Sequence, residues 1–184
     1  MEENKNAAGK FLDPEKIIEL AGIEKGSVVV DFGCGPGYFS IPLAQAVGED
    51  GKVFSLDILP QALEAVEGKA KNLGIVNITT KRANLEKKGG SKLESMSASW
   101  VVMKDILFQN SDKNVIIEEA HRILKDGGKI LIVEWNKKES LIGPAAEIRI
   151  AKSDLERILS DQKFVTDRDI DAGDFHYAVI ASKS

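Results

Sequence analysis

The sequence predicts an α/β fold, a doubly wound parallel sheet with helices on both faces. Three observations predict it. The run Val28-Val29-Val30-Asp31-Phe32 reads as a strand buried on both faces, since Asp31 is the single break in a β-prone apolar series. Three glycines at alternate positions, Gly33, Gly35 and Gly37, then lead into a helical pattern of Phe39, Leu43, Ala46 and Val47. Beyond them, apolar runs of strand length alternate with helical patterns to the end of the chain, as a parallel sheet requires.

Taken in order, residues 1–10 are polar and are expected to form a flexible N-terminal tail, with 11–184 a single domain. Asp13-Pro14 opens the first helix: Asp caps, and Pro suits the first turn. Ile17, Ile18, Leu20 and Ala21 give that helix an apolar face, and Gly22 closes it. The glycine turn follows the first strand, and a second strand over 53–57 ends in Asp57. A helix over 60–73 has Pro60 in its first turn and Gly74 at its end. Residues 76–80 read as a third, more exposed strand, and 86–97 as a polar loop whose lysines form a solvated face. The fourth strand covers 98–103. An amphipathic helix over 114–124 is expected to stop at Gly127-Gly128. The fifth strand, 129–135, is almost continuously apolar and therefore buried. Residues 136–152 have no clear period, and a loop of this length in a compact domain is usually functional or disordered. Ser153-Asp154-Leu155-Glu156 reads as a capping box opening the last helix, and 163–168 and 176–181 as two final strands.

Composition narrows the function. With 184 residues, 43% of them hydrophobic and 29% charged, the chain has the profile of an ordinary soluble domain. A net charge of −4 argues against a general nucleic-acid footprint, so no nucleic acid is expected as a partner. The lone cysteine, Cys34, excludes an intrachain disulfide and fits a reducing compartment. No apolar run approaches the roughly 18 residues of a transmembrane segment, and residues 1–10 hold no signal core, so the expected location is cytoplasmic. His121 and His176 lie far apart in the sequence beside one cysteine, so no metal is expected.

The spacing of the glycines narrows the ligand. A strand, a glycine turn and a helix start let a ligand lie against bare backbone and unpaired N–H groups. A dinucleotide fingerprint wants its third glycine three residues after the second, where this chain has Tyr38. No phosphate-cradling G-x-x-x-x-G-K-[ST] pattern is present. Asp57, twenty residues after Gly37, can accept both hydroxyls of a ribose. The combination describes a nucleoside held by its ribose, with no pyrophosphate to grip.

Val-Val-Val-Asp-Phe-Gly-Cys-Gly-Pro-Gly-Tyr-Phe resembles the glycine motif of class I S-adenosylmethionine-dependent methyltransferases, and the segment Arg122 to Leu131 resembles the "R-x-L-K-P-G-G" stretch of the same family, with Asp126 for the usual proline. The group it looks most like is the type 11, ubiquinone-menaquinone-like methyltransferases. The resemblance implies a Rossmann-like sheet of about seven strands, mostly parallel with an antiparallel last strand. It implies S-adenosyl-L-methionine as cofactor, S-adenosyl-L-homocysteine as product and a small-molecule methyl acceptor. It maps the cofactor onto Asp31, Phe32, Gly33, Cys34, Gly35, Gly37, Asp57, Ile58, Asn84, Leu85 and Lys104. Asp57 would bind the ribose, the backbone at Lys104 the methionine amino group, and Phe11 and Leu12 could cover the methionine end. The family usually has an acid at Asn84, which can still accept from the adenine amino group through its carbonyl oxygen.

Asp105 and His176 are the candidate catalytic residues, either to remove an acceptor proton or, for Asp105, to meet the cofactor ammonium. Ser99 stands where relatives carry aspartate, and Phe108 and Gln109 where quinone-type relatives often have two histidines. Residues 136–152 would be a substrate lid. Methyl transfer itself needs alignment and exclusion of water more than a catalytic residue. A noncatalytic module that binds S-adenosylmethionine or S-adenosylhomocysteine and acts through a partner is the alternative, and a nicotinamide oxidoreductase the more distant one. The expected assembly is a monomer or homodimer.

Overall fold

The computed structural model describes residues 10–184. Its elements run α1 (Pro14–Ala21), β1 (Val28–Phe32), α2 (Ser40–Val47), β2 (Lys52–Asp57), α3 (Pro60–Asn72), β3 (Ile78–Arg82), β4 (Ala98–Lys104), α4 (Lys113–Ile123), β5 (Leu124–Trp135), α5 (Lys152–Asp161), β6 (Phe164–Ile170) and β7 (His176–Lys183), with a single 3-10 turn at Leu107–Gln109. The strands form one seven-stranded sheet in the order β3-β2-β1-β4-β5-β7-β6. Pairings from β3 through β5 are parallel, and β7 runs antiparallel to both β5 and β6. The strand order reverses between β1 and β4, and a ligand crevice opens outside the carboxyl ends at such a point.

Alternation along the strands builds two cores. Val29, Val53, Trp100, Val102, Leu131 and Val133 face α1 and α2, while Val30, Phe32, Val101, Met103, Ile130 and Ile132 face α4 and α5. With both faces covered, the central strands are mostly apolar, which is why 129–135 reads as an almost continuous apolar run. The registers Phe32↔Leu56 and Phe32↔Met103 bring the ends of β1, β2 and β4 level, so the loops after them share one edge.

Two local expectations are corrected, and a third, the 86–97 loop with its exposed lysines, is extended. Gly127-Gly128 does not stop α4: Leu124 is already extended, and β5 begins there. The last-turn carbonyls of Arg122 and Ile123 accept from the Met96 and Ser97 N–H groups at 3.1 and 2.8 Å, so strand pairing satisfies the helix end in place of a glycine cap. The capping box at Ser153 is not formed. The helix starts at Lys152 behind an extended Ala151 with no side-chain cap; ion pairs of Lys152 with Asp169 and Glu156 and the burial of Leu155 fix its first turn instead. The loop over 86–97 is pinned: buried Glu119 accepts from Gly89 N and Ser91 N at 3.1 and 3.2 Å, and Arg122 donates to Leu93 O at 2.8 Å.

Lys10 is the one residue of the expected tail that is described. Its N–H donates to Asp174 Oδ2 at 2.6 Å and its carbonyl accepts from Asp174 N at 2.9 Å, so it is attached to the domain; residues 1–9 lie outside the described residues. Among the described residues, no helix is long and apolar enough to cross a membrane.

Candidate active site

The loops after β1, β2, β3 and β4 enclose a cleft in two lobes. The larger, of about 370 Å³, is lined by Gly33, Gly35, Asp57, Ile58, Leu59, Ala83, Asn84, Leu85, Glu86, Lys104, Asp105, Ile106, Gln109 and Asn110. The smaller, of about 210 Å³, is lined by Asp31, Gly33, Cys34, Gly35, Pro36, Tyr38, Phe39, Lys104, Asp105 and Gln109. Nine of the eleven residues mapped to the cofactor thus line one lobe or the other. The two exceptions are Phe32 and Gly37. Phe32 is fully buried in the core. Gly37, at φ +87°, turns the chain, and a Cβ there would stand 3.1 Å from Val66 of α3. Its role is packing and turning, not lining.

Local chemistry explains the glycine loop. Gly33 sits at φ +69°, a left-handed conformation that glycine adopts without strain, and an added Cβ would lie 2.8 Å from Ile106 Cδ1, which would have to shift. The Gly33 and Cys34 N–H groups donate to Leu56 O, tying the turn to the end of β2. Asp57 completes it: Oδ2 accepts from Gly35 N and Oδ1 from Leu59 N, both at 2.9 Å. These bonds aim a carboxylate along the cleft floor with lone pairs left for a diol. Asn84 Oδ1 accepts from Glu86 N at 3.1 Å, so the oxygen expected to meet adenine is already shared with its own turn.

Beneath the smaller lobe, Asp31 is 2% exposed. Ser55 donates to Ser40 at 2.7 Å and Ser40 to Asp31 Oδ2 at 2.6 Å, a buried hydroxyl chain linking β2, α2 and β1. Burial pushes the Asp31 carboxyl up to about 7 against the pull of the Ser40 hydroxyl. Burial likewise raises the Cys34 thiol, which is therefore unreactive at neutral pH.

At the far side, the ends of β4, β5 and β7 bring Asp105 and His176 together. His176 Nε2 lies 3.2 Å from Asp105 Oδ1 and 3.3 Å from Oδ2, across 71 residues of sequence. Asp105 holds φ +53°, its N–H donates to Val133 O at 2.9 Å, and its carboxylate also pairs with Lys104. Asp105 lines both lobes, while His176 stands behind it with its ring 4.1 Å from that of Trp135. Glu134, fully buried, accepts from Leu107 N at 2.6 Å, and burial raises its carboxyl to about 8. Glu134 Oε2 and His176 Nδ1 are buried without a hydrogen-bond partner, a cost that is tolerated most often where a site works.

Sequence reasoning did not single out Glu134, Arg149, Ser40, Ser55, Glu86 or Trp135. Glu134 carried a usable signal, a carboxylate inside an apolar strand. Arg149, 4% exposed, donates to the carbonyls of Asn136, Lys138, Ile142 and Pro144 and to Ser140 Oγ, at 2.8 to 3.2 Å. It knots the segment expected to be a lid, and Gly143 lies so close to Trp135 that a Cβ would meet its ring at 2.6 Å. Phe11 stacks on Phe175 at 5.4 Å and Leu12 accepts from the Tyr38 hydroxyl at 2.7 Å; neither lines a lobe. His121 packs on Phe164, apart from the cleft.

A sheet of this order, with an acid at the end of its second strand facing a glycine turn, defines the class I S-adenosylmethionine-dependent methyltransferases. The chain belongs to that class: the family model described as "Methyltransferase domain" matches residues 23–176. It is 35% identical over 121 residues to the ubiquinone/menaquinone biosynthesis C-methyltransferase UbiE of Haemophilus ducreyi, covering 65% of this chain and 46% of that protein. To the UbiE of Pasteurella multocida it is 30% identical over 132 residues, covering 71% of this chain and 47% of that one. The chain therefore spans about half the length of the curated relatives it matches. The crystal structure of a SAM-dependent methyltransferase from Aquifex aeolicus superposes with a TM-score of 0.87 at 26% identity, covering 95% of this chain and 91% of that one.

Proposed function

We propose that the chain transfers a methyl group from S-adenosyl-L-methionine to a small-molecule acceptor, releasing S-adenosyl-L-homocysteine. The observation that carries the reading is Asp57, held by Gly35 N and Leu59 N in the wall of the larger lobe. The donor set fits the cofactor. Asp57 suits a ribose diol, and Ile58, Leu59, Ala83, Leu85 and Ile106 offer an apolar slot for a flat base. Asp31, Asp105 and Lys104 offer charges for an amino-acid end. When bound, S-adenosylmethionine supplies an activated methyl on a sulfonium. The protein's part is to hold that end against Asp31 and Asp105, exclude water, and align the acceptor.

Asp105 lines both lobes and borders the cofactor's amino-acid end. His176 is a positioning residue that holds its carboxylate from behind. A cytoplasmic setting, a monomer or homodimer, and an acceptor other than nucleic acid complete the reading. Fractionation, light scattering and a mobility-shift assay address these in turn.

The test is a thermal shift with S-adenosylmethionine, S-adenosylhomocysteine and NAD, followed by methyl transfer over an acceptor panel. A ligand at 100 times its dissociation constant adds about 2.7 kcal/mol to stability. Stabilisation by both adenosyl ligands and turnover with one acceptor are expected. Stabilisation by NAD alone overturns the reading. Binding without turnover on any acceptor favours a module acting through a partner.

A further inference from the structure

Among the described residues, Lys104 is the one basic side chain lining either lobe, against the acids Asp31, Asp57, Glu86 and Asp105. Its ammonium pairs with the Asp105 carboxylate and stands 5.6 Å from the centre of the Tyr38 ring. The two partners differ in freedom. Asp105 is fixed by its left-handed backbone, by its N–H on Val133 O, and by Gln109 Nε2, which donates to its carbonyl at 2.6 Å. Lys104 carries its charge on a four-carbon stem that can swing without moving the strand.

An α-amino acid presents an ammonium and a carboxylate on one carbon. The ion pair facing the smaller lobe presents the opposite charges, side by side. A ligand carboxylate entering a lobe lined by acids has Lys104 as its only basic partner, and a ligand ammonium has Asp105, seated and already ionic. We propose that Lys104 and Asp105 form an exchangeable zwitterion cradle: on binding of the cofactor's amino-acid end their pair opens, Lys104 takes the α-carboxylate and Asp105 takes the α-ammonium. One ion pair becomes two, so the opened state is held only by a ligand that carries both charges. The inference rests on the cofactor reading above and assigns what the Lys104 side chain does within it.

The consequence is a binding selectivity that depends on one side chain. S-adenosylhomocysteine carries the amino-acid end; 5′-methylthioadenosine has the same nucleoside and thioether without it. Titration calorimetry with both ligands, on the full chain and on Lys104→Met and Lys104→Arg, tests the cradle. In Lys104→Met, S-adenosylhomocysteine is expected to bind about 10- to 100-fold more weakly, the range of one charge-assisted hydrogen bond. Binding of 5′-methylthioadenosine should stay within about twofold, which also shows that the variant is folded, and Lys104→Arg should recover most of the loss. An equal loss for both ligands, or none for S-adenosylhomocysteine, overturns the cradle. A wild-type chain that binds neither ligand overturns the cofactor reading as well, and is distinguishable from both.

Discussion

At the β1–β2 end of the cleft, Asp31, Gly33, Gly35 and Asp57 come from one strand–turn–helix–strand unit, and their bonds are largely to backbone. At the β4–β5–β7 end, the contacts join distant segments: Asp105 to His176 across 71 residues, Glu134 to Leu107 across 27, and Arg149 to Asn136 across 13. The first end is a backbone-built ligand seat. The second is a side-chain cluster whose charges depend on burial and on one another. On the proposed reading the seat serves any acceptor, since it would bind the part of the reaction that does not vary; the cluster is where acceptor chemistry can differ between relatives with the same fold.

That contrast can be broken or sharpened by experiment. The largest effect is expected at the seat. Asp57→Ala should weaken S-adenosylhomocysteine about 100-fold or more, since each hydrogen bond to a charged group contributes about 1.5–3 kcal/mol and a ribose offers two. Calorimetry showing less than about a tenfold loss would mean the ribose is held elsewhere. Next, Arg149→Met should cost about 1–3 kcal/mol, the range for leaving buried acceptors unpaired. Hydrogen exchange should speed up over 136–148 while S-adenosylhomocysteine affinity stays put. A drop in that affinity would tie the knot to the seat and dissolve the division.

The pH dependence separates the ends further. In the unfolded chain Glu134 ionises near 4.5 and in the fold near 8, because burial disfavours its charge. Between those values the folded state holds a proton that the unfolded state has lost, so stability falls as pH rises through that window. Asp31 acts with the same sign between 3.8 and about 7. Melting temperature should therefore decline from about pH 5 to pH 8. In Glu134→Gln, which keeps the acceptor for Leu107 N, the upper part of the decline should flatten; an unchanged slope above pH 7 would show that Glu134 is already ionised in the fold. The smallest effect is expected at Ser153→Ala, within about 0.5 kcal/mol by chemical denaturation, because no cap is formed there.

How far each end could be read in advance follows the same division. The strand ending in Asp31-Phe32, the turn at Gly33 and Gly35, and Asp57 were legible because their chemistry lies in local spacing: glycines where the backbone must reverse, an acid where a strand ends. Phe32 and Gly37 were legible as part of the motif, while their core and packing roles were not, since a motif carries no sign of which member faces the ligand. Asp105 and His176 stood out singly, and nothing in the sequence paired them. Arg149 lay in a stretch without period, where its carbonyl partners are set by loop closure. The misjudged ends of α4 and α5 belong with these: Met96 and Ser97, and Asp169, outcompeted the local caps from far along the chain.

By itself, then, the sequence determined the class of fold, the order of most elements and the glycine turn that faces Asp57, because period and glycine placement act over a few residues and propensities of that range survive folding. Only the tertiary structure decided which carboxylates are buried, that Asp105 sits between Lys104 and His176, and that Arg149 fastens the wall beside them. Burial and charge pairing are set by what the sheet brings level at its carboxyl edge, and those neighbours are far apart along the chain.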